Sequence, residues 1–332
     1  MIALMMTACL NDETKNGSDG EDPNGEATYY PFTGEKAEGD ASNRAVAVMI
    51  SNQKQARPQT GLSKADIVFE MLTEGNITRF MALFQSSKPE VVGPVRSARE
   101  YFFTLADYYD AMYIFSGAAD PVADKLHARD MDYIEGAKYD DDGLLFVREP
   151  FRKAPHNLYL QYDGIAEVAK SKDFRTTAEY EPMKFLKEGE DLPEDREYMD
   201  GTYAKVELFG DKPIIEFEYD DNTKMYTRTQ DGEQMVELES EKPVEMSNVF
   251  IVQADHEEID KEGRRAIDVD GGGSAVLLQQ GQAQEVTWEN QHGRIVPVKD
   301  GEVMPFVPGQ TWIVFAQNDS ESNGKEQITI GK

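Results

Sequence analysis

Beyond residue 43 the apolar positions of the chain fall into short runs whose spacing predicts strands and helices in alternation. Ala45 to Ile50 reads as a buried strand. Ala65 to Leu72 and Ile77 to Gln85 are two β-rich runs across the turn signal Glu74-Gly75-Asn76, so they predict a hairpin. Val91 to Val95 is a further extended piece. Ser97-Ala98-Arg99-Glu100 has the spacing of a capping box, predicting a helix capped by Ser97 and running to about Tyr109, with Phe102, Leu105, Ala106 and Tyr109 on its apolar face. Ala111 to Ser116 returns as a buried strand. Asp120-Pro121 reads as an N-cap followed by proline at the first helical position, starting a helix to His127. Gly143 to Arg148 and Gln161 to Lys170 complete the region as a strand and a helix. Such alternation predicts an α/β (α+β) layered domain over residues 44–178.

The pattern then changes. Glu179 to Asp200 is dense in carboxylates and reads as a linker or an inserted surface segment, giving an acidic connector over 179–202. After it the runs are β-branched or alternating with little helix between them: Ala204 to Phe209, Pro213 to Tyr219, Lys224 to Arg228, Met235 to Leu238 and Val249 to Ala254. Ala275 to Leu278, Gln284 to Trp288, Gly293 to Val298 and Trp312 to Ala316 follow. They predict a smaller, mostly-β domain over 203–318, leaving 319–332 as a tail. Two domains also suit a chain of 332 residues.

Charge changes the picture in two places. The net charge of -29 argues against nucleic acid as a partner, because so acidic a chain repels the phosphate backbone. Residues 10–43 carry nine acids against two bases with few aliphatic side chains, so they cannot offset their ordering entropy and are expected to be a disordered acidic tether. Between Arg44 and Arg99, in contrast, eight bases meet four acids. Arg79 lies on the returning strand of the hairpin, Arg96 just before the expected cap, and Arg99 in the first helical turn. Cations there oppose the helix dipole, at a cost of about a few tenths of a kcal/mol each, which a site for phosphate or carboxylate would offset. The alternative is that these arginines are neutralised by Asp66, Glu70 and Glu74.

No apolar stretch approaches the roughly 20 residues of a membrane-spanning helix. Cys9 is the single cysteine, which excludes an internal disulfide and a cysteine-based metal cluster. Met6-Thr7-Ala8-Cys9 after an apolar start resembles a lipobox, so residues 1–9 read as a shortened lipoprotein signal with Cys9 as the lipidation site; an incidental free thiol is the alternative. His127, His156, His256 and His292 lack metal-ligand spacing, and no Gly-x-Ser-x-Gly or Walker loop occurs, so no cofactor is expected. Gly271-Gly272-Gly273 reads as a turn. Trp288 and Trp312 are either core or a glycan-stacking platform.

Three blocks carry a family resemblance: Arg57 to Glu70, Glu74 to Phe80 with Arg79, and Gly93-Pro94-Val95-Arg96-Ser97-Ala98-Arg99. With Ala154-Pro155-His156-Asn157-Leu158-Tyr159, the Asp270 to Ser274 glycines, Gly281, Trp288 and Pro308 to Ile313, they resemble the YerB family of bacterial lipoproteins, a family of unknown function. The resemblance implies export, a lipid on Cys9, anchorage at the outer face of the cell membrane, and work in the envelope beside peptidoglycan-assembly proteins. The order of elements is also similar to that of LytR-CpsA-Psr phosphotransferases, which hold a polyprenyl pyrophosphate with Asp, Arg and a divalent metal. In that likeness Asp66, Arg96 and Arg99 would take those parts, although Arg96-Ser97 stands where that family has Arg-Asp.

Two functions follow as expectations. The first is an envelope lipoprotein binding an anionic glycan, phosphate or assembly partner through Arg57, Asp66, Arg79, Arg96, Ser97, Arg99, His156 and Asn157. The second is a metal-assisted enzyme on a phosphorylated or polyprenyl-linked wall glycan, with Asp66 or Glu70 as base and Asp66 as metal ligand.

Overall fold

The hairpin expected around Glu74-Gly75-Asn76 forms from β2 (Ile67–Leu72) and β3 (Thr78–Phe84), paired antiparallel from Ile67 opposite Leu83 to Leu72 opposite Thr78. Gly75 occupies the turn with φ +61°, a conformation that favours glycine. This computed structural model describes residues 27–208, 212–318 and 327–331; Cys9 and the first half of the expected tether lie outside them. Every residue of β1 (Val46–Ser51), β2 and β3 is buried, so the sheet must be covered on both faces.

The first half adds β4 (Val91–Val92), β5 (Met112–Phe115), β6 (Tyr133–Glu135), β7 (Phe146–Arg148) and β8 (Leu158–Gln161). Its helices are α1 (Glu100–Tyr108), α2 (Asp120–His127) and α3 (Gly164–Ser171). β1 lies between β3 and β5, antiparallel to the first and parallel to the second, and β5 pairs in parallel with β6. This is the α/β arrangement the alternation predicts. The second half is mostly strand, also as expected.

The two halves share one sheet. β2 pairs in parallel with Thr311–Gln317, from Ile67 opposite Thr311 to Glu70 opposite Val314. Asn248–Ala254, Gly273–Gln279, Gln282–Gln291 and Arg294–Lys299 extend that sheet outward, to twelve strands among the described residues. A second sheet, built on Tyr203–Glu207, Ile214–Asp220 and Met225–Gln230, covers one face. There Val206, Phe217 and Tyr226 join a core with Val48, Val68, Phe80 and Trp312. The opposite face packs Phe69 and Met81 against Phe102 and Leu105 of α1, against Tyr109 just beyond its end and against Trp288. Both tryptophans are therefore core and cannot stack on a glycan.

Several expectations need correction. Residues 27–43, the end of the expected tether, are packed: Phe32 is fully buried and its ring meets Tyr109 edge-on at 5.3 Å. The acidic stretch 179–202 is an inserted surface segment rather than a free linker, since Met183 N–H donates to Pro31 and Leu186 N–H to the Phe306 carbonyl. Within the expected tail, Ile328–Ile330 pairs with Tyr203–Glu207. Met235 to Leu238 forms no strand. α3 starts three residues later than expected because Leu158–Gln161 is taken by β8, and α2 is capped by Ala119 rather than Asp120.

The largest local misreading is Ser97. α1 begins at Glu100 with Arg99 as its cap residue and no side-chain cap bond. Backbone pairing explains why: Val95 bridges Ile50, Arg96 N–H donates to Met49 O, Ser116 N–H to Arg96 O, and Ala98 N–H to Gly117 O, each of these three bonds at 2.9 Å. Those bonds hold 95–98 extended, and tertiary pairing outweighs the local capping preference.

Candidate functional site

The parallel strands β1, β2, β5 and β6 end on one edge of the sheet, together with Asn248–Ala254 and Thr311–Gln317. Direct β1–β5 pairing stops at Val48 and Ile114, and the extended 95–98 segment enters the gap. Crevices outside the carboxyl ends of parallel strands are where open α/β sheets bind ligands. The wedge brings Arg96 and Arg99 to that edge, at the start of α1. The hairpin brings Arg79, the second residue of β3.

The three arginines meet there. Arg79 is buried and its Nη1 donates to the Ser97 carbonyl at 2.6 Å. Glu74 pairs with Arg99 and stands 4.0 Å from Arg79. Burial, then the Arg99 charge, drives the Arg79 guanidinium down to about 9, and the same two causes lower Arg96. Burial alone would raise the Glu74 carboxyl, but Arg99 and Arg79 hold it below its ordinary value. The Nε atoms of Arg96 and Arg99 are buried without a hydrogen-bond partner. Three guanidiniums thus share one carboxylate. Of the two readings open in the sequence, neutralisation by Asp66, Glu70 and Glu74 is met only at Glu74.

His156 and Asn157 lie on the loop between β7 and β8. Arg96 Nη1 donates to Pro155 O at 3.4 Å, and His156 is shifted down by burial, then by Arg96 and Arg152. His156 therefore borders the arginine site. Asn157 does not point to it: its Oδ1 accepts from Arg148 Nη1 at 2.8 Å, which fixes the loop. Ser97 contributes its carbonyl to Arg79 rather than a cap. Arg57 faces the other side of the sheet, where it donates to Asn52 O and Oδ1 and stands 4.0 Å from Glu233.

Glu70 sits in a closed network. Arg228 donates to both of its oxygens, at 2.9 and 2.6 Å, and Trp312 Nε1 and the Thr78 hydroxyl add bonds at 3.0 and 2.8 Å. Arg228 is also flanked by the Phe80 and Trp312 rings. With no exposed surface and its lone pairs taken, Glu70 is a structural ion-pair partner, not an accessible base.

Asp66 lies at the opposite end of the hairpin from Arg79. It precedes β2, whose first residue pairs with Leu83, whereas Arg79 pairs with Met71 near the other end. Its carboxylate accepts from the N–H groups of Gln85 (2.5 Å) and Ser86 (3.0 Å) and from the Ser86 hydroxyl, and burial raises it to about 6. A strand's length therefore separates Asp66 from Arg96 and Arg99, and the joint role suggested by the phosphotransferase layout is not formed. Among the described residues, no three His, Cys, Asp or Glu side chains gather to hold a metal ion.

Two residues escaped the sequence reading. Arg228 had a signal: Tyr226, Arg228 and Gln230 alternate with exposed or half-buried positions, so the strand period places Arg228 inward and demands a carboxylate. Arg152, which donates to the Ala56 and Pro58 carbonyls, had none beyond its closeness to the Ala154 to Tyr159 block.

Fold and site together define a two-module protein whose shared sheet gathers three arginines at the carboxyl edge of its parallel strands. Residues 32–175 match the N-terminal domain, and residues 204–313 the C-terminal domain, of the family described as "Protein of unknown function (DUF3048)". The chain belongs to this family. It is 45% identical over 287 residues to a Bacillus subtilis (strain 168) protein named "Putative lipoprotein YerB", covering 85% of this chain and 84% of the relative. The crystal structure of YerB protein from Bacillus subtilis superposes with a TM-score of 0.81 at 42% identity, covering 92% of this chain and all of that one. The family resemblance carried by the sequence blocks is thus shown.

Proposed function

We propose that the protein is a lipoprotein held at the outer face of the cell membrane by a lipid on Cys9, and that it binds a phosphate- or carboxylate-bearing wall glycan at Arg79, Arg96 and Arg99. The ligand is free or presented by a peptidoglycan-assembly partner. The observation that carries this reading is the stoichiometry of charge: among the described residues, three neighbouring guanidiniums are paired with one carboxylate, that of Glu74. Holding three like charges together costs free energy in the absence of an anion, and an incoming oxyanion gains charge-assisted bonds from groups already in place. The lipobox at Cys9 and the lipoprotein relative support the anchor. An enzymatic role for Asp66 or Glu70 gains nothing from the geometry, because one lies at the far end of the hairpin and the other is saturated.

Isothermal titration with pyrophosphate tests the site. The wild-type protein binds, and the Arg96→Ala/Arg99→Ala variant binds at least about tenfold more weakly, the loss expected for one charge-assisted bond. Equal affinity in a folded double variant would contradict the reading.

A further inference from the structure

The arginine cluster does not stand alone. Arg96 reaches Pro155 O, and both Arg96 and Arg152 act on His156 between them. Arg152 in turn crosses to the Ala56 and Pro58 carbonyls, on either side of Arg57. Arg57 and Lys54 both face Glu233, and both line a cleft of about 620 Å³ between the shared sheet and the second sheet. Arg79, Arg99, Arg96, Arg152, Arg57 and Lys54 therefore follow one another around this end of the molecule. Two carboxylates pair with them, Glu74 at one end and Glu233 at the other. Glu149 borders the middle, beside Tyr159, and Asp231 the far wall of the cleft. A run of this sign in a chain of net charge -29 is a local departure from the rest of its composition.

The cleft that receives the run is polar. Asn52, Gln53, Gln55, Thr78 and Gln230 line it, offering hydrogen bonds to uncharged oxygens, and Lys212 adds a further cation. Asn52 and Gln230 are buried and fixed by one another through a 2.7 Å bond, so this wall is built rather than floppy.

We infer that the arginine cluster is one end of a continuous cationic track leading past His156 and Arg152 into the Lys54–Arg57 cleft, and that its ligand is a linear phosphate polymer rather than a single anion. The inference rests on the anion-site reading and extends it. One phosphate at Arg96 and Arg99 leaves Arg152 held by backbone carbonyls alone, and Arg57 and Lys54 sharing Glu233. A chain with regularly repeated charges meets them in succession, releases counterions at each contact, and gains from joined binding events. Single-stranded nucleic acid carries similar charge, but its recognition relies on successive aromatic platforms. Along this track Phe151 is the large aromatic side chain that stands exposed, at 56%.

The test compares pyrophosphate with long-chain inorganic polyphosphate by isothermal titration, on the wild-type protein, Arg96→Ala, Lys54→Glu and Arg152→Gln. Lys54 is largely exposed, so its reversal leaves the fold intact. Polyphosphate is expected to bind at least about tenfold more tightly than pyrophosphate, with a log K against log salt slope about twice as steep or more. Lys54→Glu and Arg152→Gln should each weaken polyphosphate severalfold and leave pyrophosphate unchanged. Polyphosphate binding no tighter than pyrophosphate, or indifferent to both substitutions while Arg96→Ala still weakens pyrophosphate, overturns the track and leaves the arginine site standing. Indifference of pyrophosphate to Arg96→Ala removes the arginine site itself. Tighter binding of a charge-matched oligothymidylate than of polyphosphate overturns the assignment of the ligand.

Discussion

Glu70 and Arg79 stand on neighbouring strands near the same end of the hairpin, Glu70 opposite Phe80 and Arg79 opposite Met71, so the pleat sends their side chains to opposite faces. On Glu70's face the carboxylate pairs directly with Arg228, and both are sealed under the second sheet with further donors satisfying what remains. On Arg79's face three guanidiniums meet one carboxylate at a sheet edge. The same residue type is thus a structural element where charges balance and solvent is excluded, and a candidate ligand contact where they do not balance. Counting arginines in the sequence could not separate the two. Counting carboxylates within reach of each does.

The comparison breaks most visibly at the sealed pair. Glu70→Gln or Arg228→Met leaves one buried charge alone and should cost about 3–5 kcal/mol in urea unfolding, while the double change to Gln and Met should recover part of that loss. A cost below about 1 kcal/mol for either single change would mean that the pair is not closed as described.

Asp66 sharpens the contrast, being a buried carboxylate that makes no ion pair among the described residues. Burial lifts it to about 6 in the folded chain, above its ordinary unfolded value, so the folded state binds the extra proton between about pH 4 and pH 6. Its contribution to stability is therefore unfavourable above that window and is relieved as pH falls through it, by an amount of order 1–3 kcal/mol. His256, buried and depressed to about 4, works in the opposite sense over a similar range. The measurement is accordingly the difference between wild-type and Asp66→Asn stability curves from pH 7 to pH 4.

Smaller effects belong to the unbalanced face. Glu74→Gln removes its carboxylate, and should destabilise the free protein by about 1 kcal/mol while tightening pyrophosphate binding severalfold. Arg96→Ala, measured without ligand, should change stability by no more than about 0.5 kcal/mol and in the favourable direction, because like-charge repulsion with Arg99 is relieved. A loss of about 2 kcal/mol would instead make Arg96 a structural residue like Arg228.

Most strands were legible because their burial period is local: the Glu74-Gly75-Asn76 hairpin and the runs from Ala275 to Val298 fall where alternation and turn residues place them. The shared sheet was not, since Ile67 and Thr311 are far apart in the chain and a parallel pairing leaves no turn between them to mark it. Ser97 misled because a capping box is a local preference, and the wedge between β1 and β5 is not local. At the site, Arg79, Arg96 and Arg99 were found from charge and position. Asp66 was wrongly grouped with them because its distance depends on hairpin register. Phe32 was hidden in an acidic context whose average composition masks a single anchoring aromatic.

The central claim is that Arg79, Arg96 and Arg99 form a receptor for an oxyanion rather than a cluster neutralised within the fold. Anomalous diffraction from crystals soaked in tungstate, a heavy oxyanion of phosphate shape, tests it most directly. A peak is expected within hydrogen-bond reach of the Arg96 and Arg99 guanidiniums. Density with no anomalous peak beside any of the three guanidiniums would contradict it.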